Sequence, residues 1–473
     1  MSFPVRPHGL TRAAATATRA AHRVPAYAKH LAAHGLTGGP IVPEEFSGLP
    51  PVTKDGYLRV HDLSDLVWDA DVAAAGAWSA SSGSSGRATF WPRAQTARED
   101  AAHFHDRMFS DFFDTRARST LVVDAFAMGT WIGGVYTYDA ALDLRERGHR
   151  ISVVTPGIQA DAVLECLAGL GPHYDQVVLA GYPPFVRDVL DDAGPDILRQ
   201  RLGLLLAGEP ITEAWRDHLL EKIGAPGETD RICLIYGTAD AGVMGHETPM
   251  SVAVRRAAPV GSALADELYG PDAETVPTFV EYDAQRRYVE TDGDGCLLFT
   301  VDSAVPLIRY RLNDRGHLVD GSGLRAALRR HGCRELAERV DPSSSFLVLG
   351  SRTDVAATFY GLNIWPEQLM PAFDGDAFAG ELTGRFQIVG GFGEDLRPAL
   401  TVSVEAAGED VGDAAFAHWI ADRCRSVLAD HSSEYRALTA SHGTAADPRV
   451  VVVPRGTGPF VPGAKQRRIG GAR

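Results

Sequence analysis

RICLIYGTAD, residues 231–240, is an apolar run ending in a turn that carries Tyr236, Gly237, Thr238 and Asp240. The run reads as a buried strand, because continuous aliphatic residues suit a strand covered on both faces. Three upstream segments share its character: STLVV (119–123), HRISVV (149–154) and DQVVLA (175–180). Residues 94–113, 129–147, 161–170, 185–193 and 213–223, which lie around them, carry the 3.6-residue spacing of helices. This alternation predicts an α/β domain with mostly parallel sheet. Ligands in such domains sit beyond the carboxyl ends of strands, which is where Tyr236 to Asp240 fall. Tyr236 offers an aromatic face for a base, Thr238 a hydroxyl, and Asp240 a carboxylate able to take a divalent cation.

Further upstream, SASSGSSGRATFWPR (79–93) packs five Ser and two Gly into its first eight residues. Gly83 and Gly86 let bare N–H groups approach an anion, Ser82, Ser84 and Ser85 add hydroxyl donors, and Arg87 adds a fixed positive charge. A polyphosphate loop and a flexible surface linker both fit this composition. The spacing is not that of a G-x-x-x-x-G-K-[ST] loop. From about residue 276 the pattern changes to short strands, TFVEYD, RRYVET, CLLFTV and PLIRYR, expected as an antiparallel module that closes the large domain. PLIRYRLNDRG (306–316) delivers Asp314, an acceptor suited to paired hydroxyls, with Arg309, Arg311 and Arg315 nearby. From Gly350 onward the chain reads strand, loop, strand and one helix at 414–428, the size of a small α+β domain. Near its end, GPFVPGAKQRRI (458–469) presents Lys465 from a Gly/Pro turn, followed by Arg467 and Arg468.

A chain of 473 residues, 45% hydrophobic, buries a large core, and its length suggests two or three domains. Its formal net charge of −15 argues against a nucleic-acid partner, which is gripped by excess Lys and Arg. The five cysteines are widely spaced and odd in number, so neither a zinc site nor a disulfide framework is expected. Asp124 and Asp139 interrupt the most apolar stretch, 121–142, so no bilayer span is expected and the location is read as cytoplasmic. Residues 11–35, rich in Ala with Arg12, Arg19 and Arg23 and no acid, are read as one amphipathic helix rather than a transit leader.

Taken in order, these pieces resemble the adenylate-forming superfamily of acyl-CoA ligases, most closely its phenylacetate-CoA ligase branch. FSGLPPVTKDGYLR (46–59) is similar to that branch's entry segment, SSGSSGRATF to its phosphate loop and GEPITEAW (208–215) to its adenine-flanking turn. YGTAD occupies the aromatic-Gly motif, PLIRYRLNDRG the strand bearing the ribose-binding Asp, and GSRTDVAATFYGLNIWPEQL (350–369) the hinge segment. The resemblance spans nearly the whole chain. It implies a large domain, 1–350, and a small mobile α+β domain, 351–473, and a reaction in two steps. An acid attacks the α-phosphate of ATP, giving an acyl adenylate and pyrophosphate, and coenzyme A then captures the acyl group.

The same resemblance assigns roles. Arg87, Asp240 and Lys465 are catalytic, with Asp240 on Mg²⁺; Ser82, Gly83, Ser84, Ser85, Gly86, Gly208, Glu209, Pro210, Tyr236, Gly237, Thr238, Asp314 and Arg352 bind the nucleotide. Asp354 is the hinge and Gly361 lines the thiol's path. Phe126, Trp131, Tyr136, Ala207 and Gly242 form the acyl pocket, whose aromatics imply a compact or aromatic acid. His246 and Glu247 are read as a solvated turn, contact with the acyl group or its acceptor being the other reading. The chain departs from the branch in having Arg87 for Lys, Asp240 for Glu and Asn313 for Gly, and in lacking the Cys cluster of zinc-bearing members. Other readings stay open: an amine or carrier-protein acceptor, a non-carboxylate oxyanion such as nitrite, or a nucleotide-binding protein without turnover. The assembly is read as monomer or homodimer.

Overall fold

The computed structural model describes residues 9–81, 89–130, 132–208, 210–271, 273, 275–352, 357–359, 362–374, 378, 380–392, 398–461 and 468–469. A hairpin of β1 (Ala77–Ser81) and β2 (Thr89–Arg93) stands apart from the main sheet. The main sheet begins with β3 (Thr120–Asp124), β4 (Ile151–Val154), β5 (Gln176–Gly181), β6 (Leu202–Ala207) and β7 (Ile232–Thr238). These pair in parallel, in the order β4-β3-β5-β6-β7. Every residue of β3 and β5 is buried, as expected for strands sandwiched between helices. Leu121, Val123, Leu179 and Leu204 pack on one face; Val122, Val178, Ala180 and Leu205 pack on the other against Phe104, Met108 and Phe109.

The sheet continues through β8 (Gly242–His246), β9 (Thr278–Tyr282), β10 (Tyr288–Thr291), β11 (Cys296–Val301), β12 (Leu307–Asp320) and β13 (Ser345–Arg352). All eleven strands form one sheet in the order β10-β11-β12-β13-β9-β8-β7-β6-β5-β3-β4. The antiparallel strands are therefore an extension of the parallel ones rather than a separate module, and β12 is 14 residues long rather than short. The α/β fold expected from the sequence is borne out. The strand β6 was not foreseen, and the expected N-terminal helix is two, Leu10–Arg23 and Pro25–Ala33. Pro25 cannot donate its backbone nitrogen, so it ends the first helix and opens the second.

Beyond β13 come β14 (Ala357–Phe359), β15 (Leu362–Ile364), β16 (Leu382–Phe392), β17 (Pro398–Ala406) and β18 (Arg449–Val453). The last three form their own sheet, with a core of Phe373, Phe386, Ile388, Val402, Ile420 and Leu428. The expected single helix runs from Ala414 to His431, and a second, Ser433–His442, follows it. Ser432 separates the two and caps the second by accepting from the Tyr435 N–H. Polar contacts join this lobe to the large one: Arg385 to Asp188, Arg455 to Asp192 at 3.0 Å, and the Thr212 hydroxyl to Asp374 at 2.6 Å.

No helix among the described residues is long and apolar enough to cross a membrane. Asp124, at the carboxyl end of β3, is fully buried; its Oδ1 accepts from the Phe126 N–H at 3.2 Å, and its Oδ2 has no partner among the described residues. Burial pushes its carboxyl up to about 8 from 3.8. Between those values the native state keeps a proton that the unfolded chain has released, so stability falls as pH rises through the window. Asp124→Asn, neutral throughout, is expected to gain on the parent by a few kcal/mol between about pH 4 and 8. Urea unfolding of both proteins across that range checks this, and parallel profiles would refute it.

Candidate active site

Two bulges in β12 build the site. Phe299 of β11 pairs with Tyr310 while Val301 pairs with Leu307, which leaves one extra residue on β12. Arg309, at φ +49, takes it up, held by Glu290 at 2.9 Å and by the Leu49 carbonyl. Such a bulge re-aims the side chains that follow it. The Tyr310 hydroxyl then donates to Asp240 Oδ2 at 2.6 Å, both residues being buried. Further along, Cys296 pairs with Arg315 and Leu298 with Arg311, and within this second irregularity lies Asp314. Its Oδ2 accepts from the Tyr236 hydroxyl at 2.7 Å.

The turn after β7 is equally constrained. A Cβ on Gly237 would meet the Gly242 carbonyl oxygen at 2.8 Å, so the close pairing of β7 with β8 needs glycine there. Gly242 itself has φ +74, and the Thr238 hydroxyl accepts from the Ala241 N–H at 3.1 Å. Tyr236, Thr238, Asp240 and Asp314 are thus brought together at the carboxyl edge of the central strands. Arg352, the last residue of β13, pairs by its backbone with Asp314. Gly208, at φ +105, follows β6 and has the Tyr182 ring beside it.

Phe126, Tyr136 and Ala207 pack in one apolar cluster with Ile235 and Val243, and the Tyr136 hydroxyl lies against Gly242. Burial pushes the Tyr136 phenol up to about 12, so it remains a neutral donor. Pro210 lines a pocket between the lobes with Arg187, Trp215, Phe373 and Phe386. Ser82, Gly83, Ser84, Ser85, Gly86, Arg87, Trp131, Glu209, Asp354, Gly361 and Lys465 lie outside the described residues.

Arg309 and Arg311, close to Asp314 in sequence, are engaged by other acids: the first pairs with Glu290 and the second with Asp292, at 2.6 Å, and Asp294, at 3.1 Å. One expectation changes: His246 and Glu247 are not a solvated turn. Both are buried; the His246 imidazole is pushed down to about 3 by burial, and Glu247 accepts from Arg216 at 2.6 Å and Arg255 at 2.9 Å. The sequence reading also missed Tyr310 and Arg93. Strict alternation along β12 would have misdirected Tyr310, because the bulge is invisible in the sequence.

A Thr115–His149–Asp106 chain, with contacts of 2.6 and 2.9 Å, has the outline of a nucleophile relay. Thr115 is fully buried where the chain enters β3 and β4, at the opposite edge of the sheet from Tyr236. The chain pins a helix end and has no access for substrate.

The donor set fits the groups that the fold implies. Asp240 supplies one hard carboxylate, and Mg²⁺ is ordinarily held by one or two carboxylates together with substrate phosphates. No cluster of three or more potential ligands occurs among the described residues.

The architecture is that of the adenylate-forming enzymes. The chain superposes on 2-hydroxyisobutyryl-CoA ligase in its postadenylation state, bound to an acyl-AMP, over 98% of its own length and 89% of that chain, with TM-score 0.66 and 17% identity. The same ligase with 2-HIB-AMP and CoA in its thioesterification state gives TM-score 0.53 at 17% identity, with the same coverage of both chains. No family profile and no curated protein sequence matches the chain.

Proposed function

We propose that this chain is an ATP- and Mg²⁺-dependent acid ligase that forms an acyl adenylate and passes the acyl group to coenzyme A. The observation that carries the reading is the meeting of Tyr236, Asp240, Asp314 and the Arg352 backbone at one strand edge, from segments up to 116 residues apart in sequence. The phenylacetate-CoA ligase-like subtype, a large domain of 1–350 and a mobile one of 351–473 belong to this proposal.

Asp314 accepts both ribose hydroxyls, and Tyr236, tethered to it through its hydroxyl, keeps its ring in a fixed orientation for the adenine. Attack of a carboxylate on a phosphate brings two anions together, so the residues must cancel charge as it moves to the departing pyrophosphate. Mg²⁺, when bound, would neutralise charge on the phosphates. Asp240 would hold it, kept in one rotamer by the Tyr310 hydroxyl. Arg87 and the serine-rich loop carry the β- and γ-phosphates. Lys465 bridges acid and α-phosphate in the first step, then leaves as the small lobe turns about Asp354, opening the Gly361 path for the thiol. Little proton transfer is needed, because the nucleophile is already an anion. Phe126, Trp131, Tyr136, Ala207 and Gly242 enclose a small or aromatic acyl group.

The test is pyrophosphate release from ATP with benzoate, phenylacetate, 2-aminobenzoate, 2-hydroxy-2-methylpropanoate, acetate and nitrite, each with and without coenzyme A. Acid-dependent release, with thioester only when coenzyme A is present, is the expected result. Release with hydroxylamine-trappable product but no thioester would transfer the second step to another acceptor. Silence throughout would reject the enzyme reading.

A further inference from the structure

Arg93 ends β2, and its guanidinium joins two parts of the site. Its Nε donates to the Ser79 hydroxyl at 3.0 Å, and a terminal nitrogen donates to the Ala239 carbonyl, next to Asp240 in the turn after β7. It is partly buried, and its charge interacts favourably with Tyr136 and Asp240 and unfavourably with Arg287. Among the described residues no carboxylate comes within ion-pair distance of it.

That isolation sets it apart from the buried arginines of the large lobe. Arg216 and Arg255 share Glu247, Arg287 has Asp100 at 2.6 Å, Arg231 has Glu228 at 2.9 Å, and Arg187 has Asp191 at 3.7 Å. A charge withdrawn from water is costly without a counter-ion. The cost at Arg93 shows in its acidity: burial pulls the guanidinium down to about 10. A partly buried guanidinium without a carboxylate partner is suited to an anionic ligand.

The ligand's chemistry follows from the surroundings. Tyr136, which interacts electrostatically with Arg93, packs in the apolar cluster with Phe126 and Ala207, and Asp240 directly follows Ala239, whose carbonyl Arg93 holds. A molecule spanning them has an apolar body and an anionic end directed at the cation-binding carboxylate. A guanidinium fork matches a planar carboxylate in two parallel hydrogen bonds, which a point charge does not.

We infer that Arg93 binds the carboxylate of the acid substrate, holding it at the boundary between the apolar pocket and Asp240. The inference rests on the ligase reading. It adds a second substrate-contacting cation to the one proposed at Lys465, and it requires the substrate to be an anion rather than a neutral amide.

The experiment uses the full chain and the acid giving the fastest pyrophosphate release in the panel, with the matching primary amide as inhibitor. For Arg93→Ala, loss of a charge-assisted pair predicts a KM for the acid raised by roughly 10- to 100-fold. The KM for ATP is expected to stay within about threefold, and Arg93→Lys to fall between Ala and parent. The parent is expected to bind acid more tightly than amide, and Arg93→Ala to lose that preference. A merely structural role, through Ser79 and Ala239, would disturb Asp240 and raise both KM values together, which would overturn the inference. An unchanged acid KM, or a rise for ATP alone, would overturn it too. Absence of acid-dependent turnover in the parent would instead bring down the ligase reading itself.

Discussion

Replacing Glu247 with Ala is expected to destabilise the protein by about 3–5 kcal/mol, the cost of stranding buried charge. Glu247 is fully buried and accepts from Arg216, from Arg255 and, through Oε2, from the Leu234 N–H at 3.0 Å. Both arginines are fully buried as well, and each also donates to a backbone carbonyl, of Ile232 and Ile211 respectively. Removing the carboxylate leaves two guanidiniums sharing only Glu213, which is 18% exposed. The effect reaches the site, because Leu234 and Ile232 lie on β7, whose end carries Tyr236. A lower urea midpoint together with weakened ATP binding is the expected result, with Glu247→Gln intermediate. A midpoint matching the parent's would show that this network does not hold β7 in place.

The second large effect is expected at Asp314. On the proposed reading, Asp314→Ala removes the acceptor for two ribose hydroxyls together with the acceptor for the Tyr236 hydroxyl. Hydrogen bonds to a charged group contribute about 1.5–3 kcal/mol each, so ATP affinity should fall by about 100-fold or more. Equilibrium binding of a fluorescent ATP analogue measures this without requiring turnover. Asp314 is buried and holds the Tyr236 hydroxyl, so the ligand-free stability is expected to fall as well, by about 1–3 kcal/mol, and binding is compared under conditions where both proteins are folded. A binding constant within about threefold of the parent would remove Asp314 from the nucleotide site.

How far the sequence discloses this structure depends on whether the pattern is local. Four parallel strands and their helices were legible because both faces of the sheet are covered, which leaves uninterrupted runs such as STLVV and RICLIY. LGLLLA, the strand β6, is just as apolar, but it lacks β-branched residues and runs into the turn at Gly208, so it was passed over. Pro25 and Ser432 carry a break and a cap in the sequence, but the reading passes over both, taking 11–35 as one helix and 414–428 as the one helix of the small lobe. Neither the length of β12 nor its bulges has a counterpart in residue spacing, since both arise from pairing with distant strands. Tyr310 and Arg93 were missed for that reason: what identifies them is the residue across from them, Asp240 for one and Ala239 for the other. Glu247 was misjudged because a polar HET triplet after a strand reads as a solvated turn until Arg216 and Arg255 are seen to close over it.

The central claim is that segments scattered along the chain hold ATP so that an acid attacks its α-phosphate. Acid-dependent exchange of labelled pyrophosphate into ATP tests this most directly, because it reports reversible adenylate formation and needs no acceptor. Exchange is predicted with at least one small or aromatic acid, without coenzyme A, and lost in Asp314→Ala. Folded protein that binds ATP yet gives no exchange with any acid, or that releases ADP and phosphate instead, would contradict the account.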